Sequence, residues 1–304
     1  MRLLLLGANG QVGHALRHAL APLGGLVCTT RSGTLPDGSA CETADFDHPA
    51  MLAPLVARIA PDVVVNAAAY TAVDRAEGER EAAFRANAEA PAALAEACAR
   101  SGALLVHYST DYVFDGSATR PWREDDPTSP LGVYGESKLA GEAAVRGSGA
   151  RHMVFRTAWV YGTHGHNFMR TMLRLGGERD ELGVVADQAG TPTPARLIAQ
   201  ASAQALRTDP EATGLWHLTA AGGTTWHGFA EAIFEGAQAR GLLPRVPRVR
   251  PIATSDYPTP ARRPEYSRLD IARVQADFGL ELPDWKEALS GVLDELATEI
   301  DGAG

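Results

Sequence analysis

LLLLGANGQVGHALRHAL, residues 3–20, is the stretch whose reading decides the fold. The apolar run from Arg2 to Leu6 stops at Gly7, as a strand buried on both faces does. Glycines follow at Gly7, Gly10 and Gly13, and from Gln11 the apolar positions Val12, Leu16 and Leu20 fall at helical spacing. Glycine at a strand-to-helix turn permits a tight reversal and lets backbone approach a pyrophosphate. The helix N-terminus then offers free amides and the positive end of its dipole to the phosphates. In a chain with 31 glycines such a triplet is weak evidence by itself. Its position after the first strand points to a dinucleotide site built from Gly7, Gly10, Gln11, Val12 and Gly13. The plainer alternative is a glycine-rich turn with no ligand.

Working outward, the same alternation continues. Leu26 to Thr30 reads as a strand, Pro49 to Ile59 as a helix, Asp62 to Val65 as a strand, and the alanine-rich Glu79 to Arg100 as one long helix. Ala103 to His107 is the next strand, Tyr134 to Val145 the next helix and His152 to Arg156 the strand after it. Strands alternating with helices predict an α/β fold, a Rossmann-type doubly wound parallel sheet whose ligands bind at the carboxyl ends of the strands. After about Tyr161 the order loosens, with helices near 167–175, 194–206 and 226–240, a proline-rich segment over 242–264 and a last amphipathic helix after Pro283. The predicted division is a dinucleotide-binding domain over 1–160 and a smaller substrate-binding subdomain over 161–304, with some chain crossing back.

Composition limits the function classes. Of 304 residues 45% are hydrophobic and 21% charged, ordinary for a globular protein with a large core. A formal net charge of −9 argues against nucleic acid as a partner. No apolar stretch approaches the roughly 20 residues needed to span a bilayer. Cys28, Cys41 and Cys98 are odd in number and lack metal-site spacing, so they read as free thiols in a reducing compartment, with cytoplasm as the expectation.

Two further features carry chemistry. The end of the second strand offers Thr29, Thr30, Arg31 and Ser32 and no carboxylate. Sites for NAD usually place an acidic residue there to hold the ribose 2′-hydroxyl. Arg31 suits a 2′-phosphate instead, which favours NADPH over NADH; a loop arginine in solvent is the alternative. The run YGESK then sets Tyr134 and Lys138 four residues apart on one helix face. Of 28 basic residues only Lys138 and Lys286 are lysines, so a lysine one turn after a tyrosine stands out. An ammonium beside a phenol is expected to favour its ionised form and lower its pKa toward the working range of an acid or base. Ser109, Thr110 and Asp111 follow the strand Ala103 to His107, and Thr110 is the natural hydroxyl partner of Tyr134 in polarising a carbonyl.

With these residues assembled, the chain resembles the extended short-chain dehydrogenase/reductases, in which Ser/Thr, Tyr and Lys form the catalytic set. Within them it is similar to the branch that reduces nucleotide-linked keto sugars. The resemblance rests on GANGQVG (7–13), PDVVVNAAAYTAVD (61–74), HYSTDYVFDG (107–116), YGESKLAGE (134–142), FRTAWVYG (155–162), DQAGTPT (187–193) and TPARRPEYSRL (259–269). It implies a reductase of a dTDP-linked 4-keto-6-deoxy sugar, with Tyr134 as proton donor and Lys138 on the nicotinamide ribose. It implies further that Asp45 and Phe46 flank the adenine, and that Ala67, Ala69 and Thr71 form the cofactor-side turn after the third strand. Thr110 and Asp111 would contact the sugar near its carbonyl, Trp159 would pack on it, and Asn167, Arg262 and Arg263 would hold the substrate pyrophosphate and nucleotide. A core tryptophan and a structural ion pair are the alternatives for Trp159 and Arg263.

Other functions on this fold are less well supplied. A 4,6-dehydratase needs an Asp-Glu pair where this chain has Asp111-Tyr112, and a binding subunit without activity has no use for Tyr134 and Lys138. Some relatives bind magnesium at a dimer interface through three glutamates. Here the matching positions are Ala15, Arg196 and Glu295, so the resemblance carries over neither that metal nor a homodimer that depends on it.

Overall fold

The structure is a computed structural model and describes residues 1–303. In chain order the strands are β1 (Arg2–Leu6), β2 (Gly25–Thr30), β3 (Glu42–Thr43), β4 (Val63–Asn66), β5 (Leu104–Thr110), β6 (His152–Thr157), β7 (Glu181–Val185), β8 (Gly214–His217) and β9 (Arg248–Ile252). The helices are α1 (Gln11–Leu20), α2 (Leu52–Ile59), α3 (Ala90–Ser101), α4 (Val133–Gly147), α5 (Phe168–Glu178), α6 (Ala195–Thr208), α7 (Trp226–Ala239), α8 (Ala272–Phe278) and α9 (Trp285–Ala303). Single turns, and two-residue strands outside the main sheet, carry no label.

Leu3 to Leu6 of β1 are fully buried. Side chains alternate along a strand, so Leu3 and Leu5 enter the core under α1, α6 and α8 while Leu4 and Leu6 enter the core under α2 and α3. A strand apolar on both faces belongs at the centre of a parallel sheet. Seven parallel strands follow in the order β8-β6-β5-β4-β1-β2-β3. The direction of winding reverses between β1 and β4, which opens a crevice between the loops that follow them. This is the doubly wound α/β fold expected from the sequence.

Two departures have physical causes. The alanine-rich run expected as one helix is helical throughout, from Arg80 to Ser101, but its α-helical register is broken by a π-turn at Arg85–Glu89 between Arg80–Phe84 and α3. Pro91 has no N–H to give the carbonyl of Asn87 four residues back. That carbonyl is where α4 packs: a Cβ at Gly141 would lie 2.0 Å from Asn87 O. The second is the form taken by the expected crossing back: β8, not read as a strand, returns from the C-terminal half to pair with β6 and form the sheet edge, while α6 packs on α1. Its four residues, GLWH, are too few for a periodicity to show. The remaining C-terminal chain forms a smaller lobe around Met169, Phe229, Phe234, Trp285 and Leu289, with the parallel pair β7–β9 on it. No helix among the described residues is long and apolar enough to cross a membrane.

Candidate active site

β5 ends at Thr110, whose Oγ1 donates to Asp111 Oδ1 at 3.0 Å and accepts from the N–H of Tyr112 at 3.2 Å. These bonds cap a single turn, Asp111–Val113, in which Asp111 is buried. α4 presses against that turn. A Cβ at Gly135 would meet Tyr112 O at 2.3 Å, so only glycine lets the first turn of the helix come this near. Gly132 at the N-cap has no side chain to satisfy the free amides, and Glu77 Oε1 accepts from the N–H of Val133 at 2.9 Å in its place. Tyr134 is thereby held beside Thr110 and Asp111, edge-on to Tyr112 at 5.6 Å. One turn later the buried Lys138 donates from Nζ to Tyr108 O at 2.7 Å, tying the helix to β5.

The electrostatics differ from the sequence expectation. Tyr134 is pushed up to about 12, first by burial, with the Thr110 hydroxyl drawing it down and the Asp111 carboxylate raising it again. The ammonium of Lys138, engaged on Tyr108 O, is not among the groups that shift it. Lys138 is itself brought down to about 8 by burial, against the pull of Glu142. Asp111 is raised to about 6, again by burial, with Ser267 and Thr110 opposing. At neutral pH the cluster therefore holds a protonated phenol, an ammonium and a carboxylate. That phenol is a donor with its proton in place, and an alkoxide formed beside it is the stronger base.

The crevice between the loops after β1 and β4 fits a dinucleotide. Gly7 has φ +78°, and a Cβ there would lie 2.7 Å from Ala68 N, so the two loops meet backbone to backbone. A Cβ at Gly10 would meet nothing of the protein nearer than 3.4 Å. Packing does not demand glycine at that position, whereas close approach of a phosphate does. Val12 is the second residue of α1, whose first amides face this turn. Ala67 lines the crevice, while Ala69 and Thr71 are exposed on the same loop. Ser109 Oγ and Thr157 Oγ1 are buried without protein partners, at the carboxyl ends of β5 and β6. Polar atoms so placed suit a polar ligand.

At the far end of the crevice Arg31 is exposed and is braced by two carboxylates, Asp45 at 3.4 Å and Asp47 at 3.6 Å. The sequence reading found no acid at the end of β2; the turn after β3 brings these two. Thr30 is buried and bonds within its own loop, to the N–H and carbonyl of Thr34. Phe46 is a core residue, 5% exposed.

On the substrate side, Trp159 lies flat against Trp226 with ring centroids 3.5 Å apart. Asn167 caps α5 by accepting from Arg170 N–H at 3.0 Å, and both its amide hydrogens are engaged, one on Gln11 Oε1 at 3.0 Å and one on Gly162 O at 2.9 Å. It joins the glycine-rich turn to the smaller lobe. Arg263 forms the ion pair weighed as its alternative, with Nη2 2.8 Å from Asp74 Oδ2. Arg262 is exposed and near enough to Asp115 to favour its carboxylate.

Against this geometry the family model described as RmlD substrate binding domain matches residues 1–298. The chain belongs to the RmlD substrate binding domain family. A dTDP-4-dehydrorhamnose reductase of Shigella flexneri is 48% identical over 98% of this chain and 99% of its own. The crystal structure of a dTDP-4-dehydrorhamnose reductase from Clostridium acetobutylicum superposes with a TM-score of 0.88 at 36% identity, covering 97% of this chain and 99% of the other. That of Bacillus anthracis, solved in complex with NADP, gives 0.87 at 33%, with the same coverage.

Within this RmlD-family fold, several residues support the site without having been singled out in the sequence. Asn87, in the π-turn, holds both the N–H and carbonyl of Tyr70 and donates to Ser137 Oγ at 3.0 Å. Ser137 Oγ donates in turn to Tyr134 O at 2.8 Å, so one amide links the loop after β4 to the helix carrying Tyr134. An asparagine inside an alanine-rich helix was the visible signal. Ser267, Gln188 and Trp226 come from the smaller lobe; Gln188 and Ser267 lie inside the DQAGTPT and TPARRPEYSRL motifs but drew no role there, and nothing local in the sequence couples Trp226 to the site. At the positions compared with metal-binding relatives, Arg196 lies 3.5 Å from Glu295 beside Ala15. A guanidinium on Glu295, with Glu299 the one other carboxylate lining this cavity, does not fit a hard divalent cation, which takes several oxygen ligands.

Proposed function

We propose that this protein is a dTDP-4-dehydrorhamnose reductase, reducing the 4-keto group of dTDP-4-dehydro-β-L-rhamnose to dTDP-β-L-rhamnose with NADPH in the cytoplasm. The observation that carries the reading is the packing of Tyr134 against Thr110 and Asp111, with Lys138 one turn on tied to the same strand at Tyr108 O, at the mouth of a crevice suited to a dinucleotide. Gly10, Gln11 and Val12 hold the cofactor pyrophosphate, Lys138 offers its remaining N–H groups to the nicotinamide ribose, and Arg31 meets the 2′-phosphate. The bound cofactor supplies the hydride. Tyr134 donates its proton to the substrate's carbonyl oxygen as that oxygen gains negative charge. Thr110 fixes the carbonyl when its one hydroxyl proton turns from Asp111 Oδ1, where it rests in the free protein, to the substrate oxygen.

Elimination, the chemistry of the dehydratase alternative, needs a second carboxylate beside Asp111. Tyr112 stands there, its phenol raised by burial and stacked edge-on to Tyr134, and is no base at neutral pH.

The direct test follows oxidation of NADPH and NADH in parallel with the dTDP-linked keto sugar and with a GDP-linked one. Turnover restricted to the dTDP sugar is expected, and no oxidation with it sinks the assignment. Arg31→Ser is expected to reduce the preference for NADPH over NADH by about tenfold, the scale of one partly exposed charge-assisted hydrogen bond. An unchanged ratio removes Arg31 from phosphate recognition.

The lowered pKa of Lys138 gives a pH dependence. Below about 8 the buried amine carries its charge, and above it the charge is lost. kcat/KM is therefore expected to fall as pH rises through about 8, well before an ordinary lysine titrates. A profile flat to pH 9.5 or beyond would detach this ammonium from catalysis.

A further inference from the structure

Trp159 has a backbone φ of +46°, in the left-handed region that a bulky residue enters only with strain. What holds it there is visible on both faces of its indole. Trp226 lies on one, with centroids 3.5 Å apart and planes within 6°, so the two rings overlap almost fully. On the other is the backbone of Gly190: a Cβ there would come within 2.4 Å of Cε2 and 2.6 Å of both Cζ2 and Nε1. A point this near to Cε2 and to its two outer neighbours lies above the indole plane at its Nε1–Cζ2 margin, so Gly190 presses on that edge of the second face.

The outer slice of this sandwich is fixed in turn. Trp226 Nε1 donates to Gln188 Oε1 at 3.2 Å, Gln188 Nε2 donates to Thr254 Oγ1 at 3.0 Å, and Thr254 Oγ1 donates to Asp187 Oδ1 at 2.6 Å. The inner slice is tied to the reacting groups. Ala189, next to Gly190, accepts from the N–H of Ser267 at 2.8 Å, and Ser267 stabilises the Asp111 carboxylate. Trp159 follows β6, whose Thr157 is in register with Thr110.

From this geometry we infer that Trp226 and Gln188 are positioning residues that act through Trp159 to set affinity for the nucleotide sugar. They hold its indole beside the strand end that carries Thr157. The inference rests on the reductase reading above and adds the device that fixes the sugar's wall. With Trp226 across one face and Gly190 against the Nε1–Cζ2 margin of the other, the indole of Trp159 is fixed in place. A sugar meets a rigid ring whose place depends on residues that touch neither substrate nor cofactor.

The test combines steady-state kinetics on the dTDP-linked keto sugar with the exciton couplet that two stacked indoles give in circular dichroism. Trp226→Ala removes one slice, and Gly190→Ala drives a methyl into the ring from the other side. Both are expected to abolish the couplet and raise KM for the sugar by roughly tenfold, the scale of one aromatic stack, with kcat and KM for NADPH within about threefold of wild type. Trp226→Phe loses the couplet but keeps a flat platform, and its sugar KM is expected to stay within about threefold.

Normal sugar KM in both Trp226→Ala and Gly190→Ala overturns the inference, as does a parallel loss of kcat and cofactor affinity, the mark of a merely structural role. If Trp226→Ala does not fold, Gly190→Ala decides. An inert wild type overturns the reductase reading and the sugar's part in this one. An active wild type without the couplet overturns the clamp alone.

Discussion

Tyr134→Phe is expected to lower kcat by about 10²–10⁴-fold, the range for loss of a positioned general acid, while affinity for NADPH stays unchanged. The size follows from the surroundings of the phenol. Burial raises Tyr134 to about 12, so at neutral pH it carries its proton at all times and no fraction of the enzyme is wrongly ionised. No other acid stands ready to replace it: the Thr110 hydroxyl donates to Asp111, Asp111 is largely ionised above about 6, and the amine of Lys138 is held on Tyr108 O. Phenylalanine keeps the ring and its edge contact with Tyr112. The helix and the cofactor crevice are therefore expected to survive, and a fluorescence titration with NADPH serves as the control. Turnover within threefold of wild type would remove Tyr134 from proton transfer.

How much of this was legible in the sequence depended on how local the cause is. The first strand, its glycine turn and α1 could be read directly because burial on both faces, a tight reversal and helical spacing each leave a mark within a few residues. The pairing of Tyr134 with Lys138 was visible for the same reason, since four residues on a helix fix a shared face. The direction of the Tyr134 shift was not. A sequence shows that an ammonium is near but not that the amine bonds to a strand carbonyl or that the phenol is buried. The acids beside Arg31 were missed because they come from the turn after β3, and the break at Arg85–Glu89 was hidden in an alanine-rich run that favours helix throughout. Trp226 and Gln188 lie more than sixty and about thirty residues from Trp159 in the chain, and only the folded lobe stacks them.

Arg156→Met is expected to destabilise the protein by about 3–5 kcal/mol, the scale of breaking a buried ion pair from one side. Arg156 and Glu142 are 2% and 1% exposed, and two parallel bonds join them, Nε to Oε1 at 2.9 Å and Nη2 to Oε2 at 2.7 Å. Methionine fills much of the volume but leaves a carboxylate in the interior without its partner. Uptake of a proton or movement of the carboxylate toward Lys138 relieves part of that penalty, and each leaves a trace. Glu142 already favours the charged form of Lys138 from one turn away on the same helix face. Freed of Arg156, its carboxylate acts more strongly, so the alkaline limb of kcat/KM is expected to move above 8 in Arg156→Met. In Glu142→Gln it is expected to move below. The double variant Glu142→Leu with Arg156→Met buries no lone charge and is expected to recover most of the lost stability, because the pair's attraction is largely offset by its desolvation. Urea unfolding of the two single variants and the double variant measures this. A single variant within 1 kcal/mol of wild type would show the pair to be solvated, and a double variant as unstable as the singles would show that what was lost is packing around Phe114, over which the guanidinium sits at 5.1 Å.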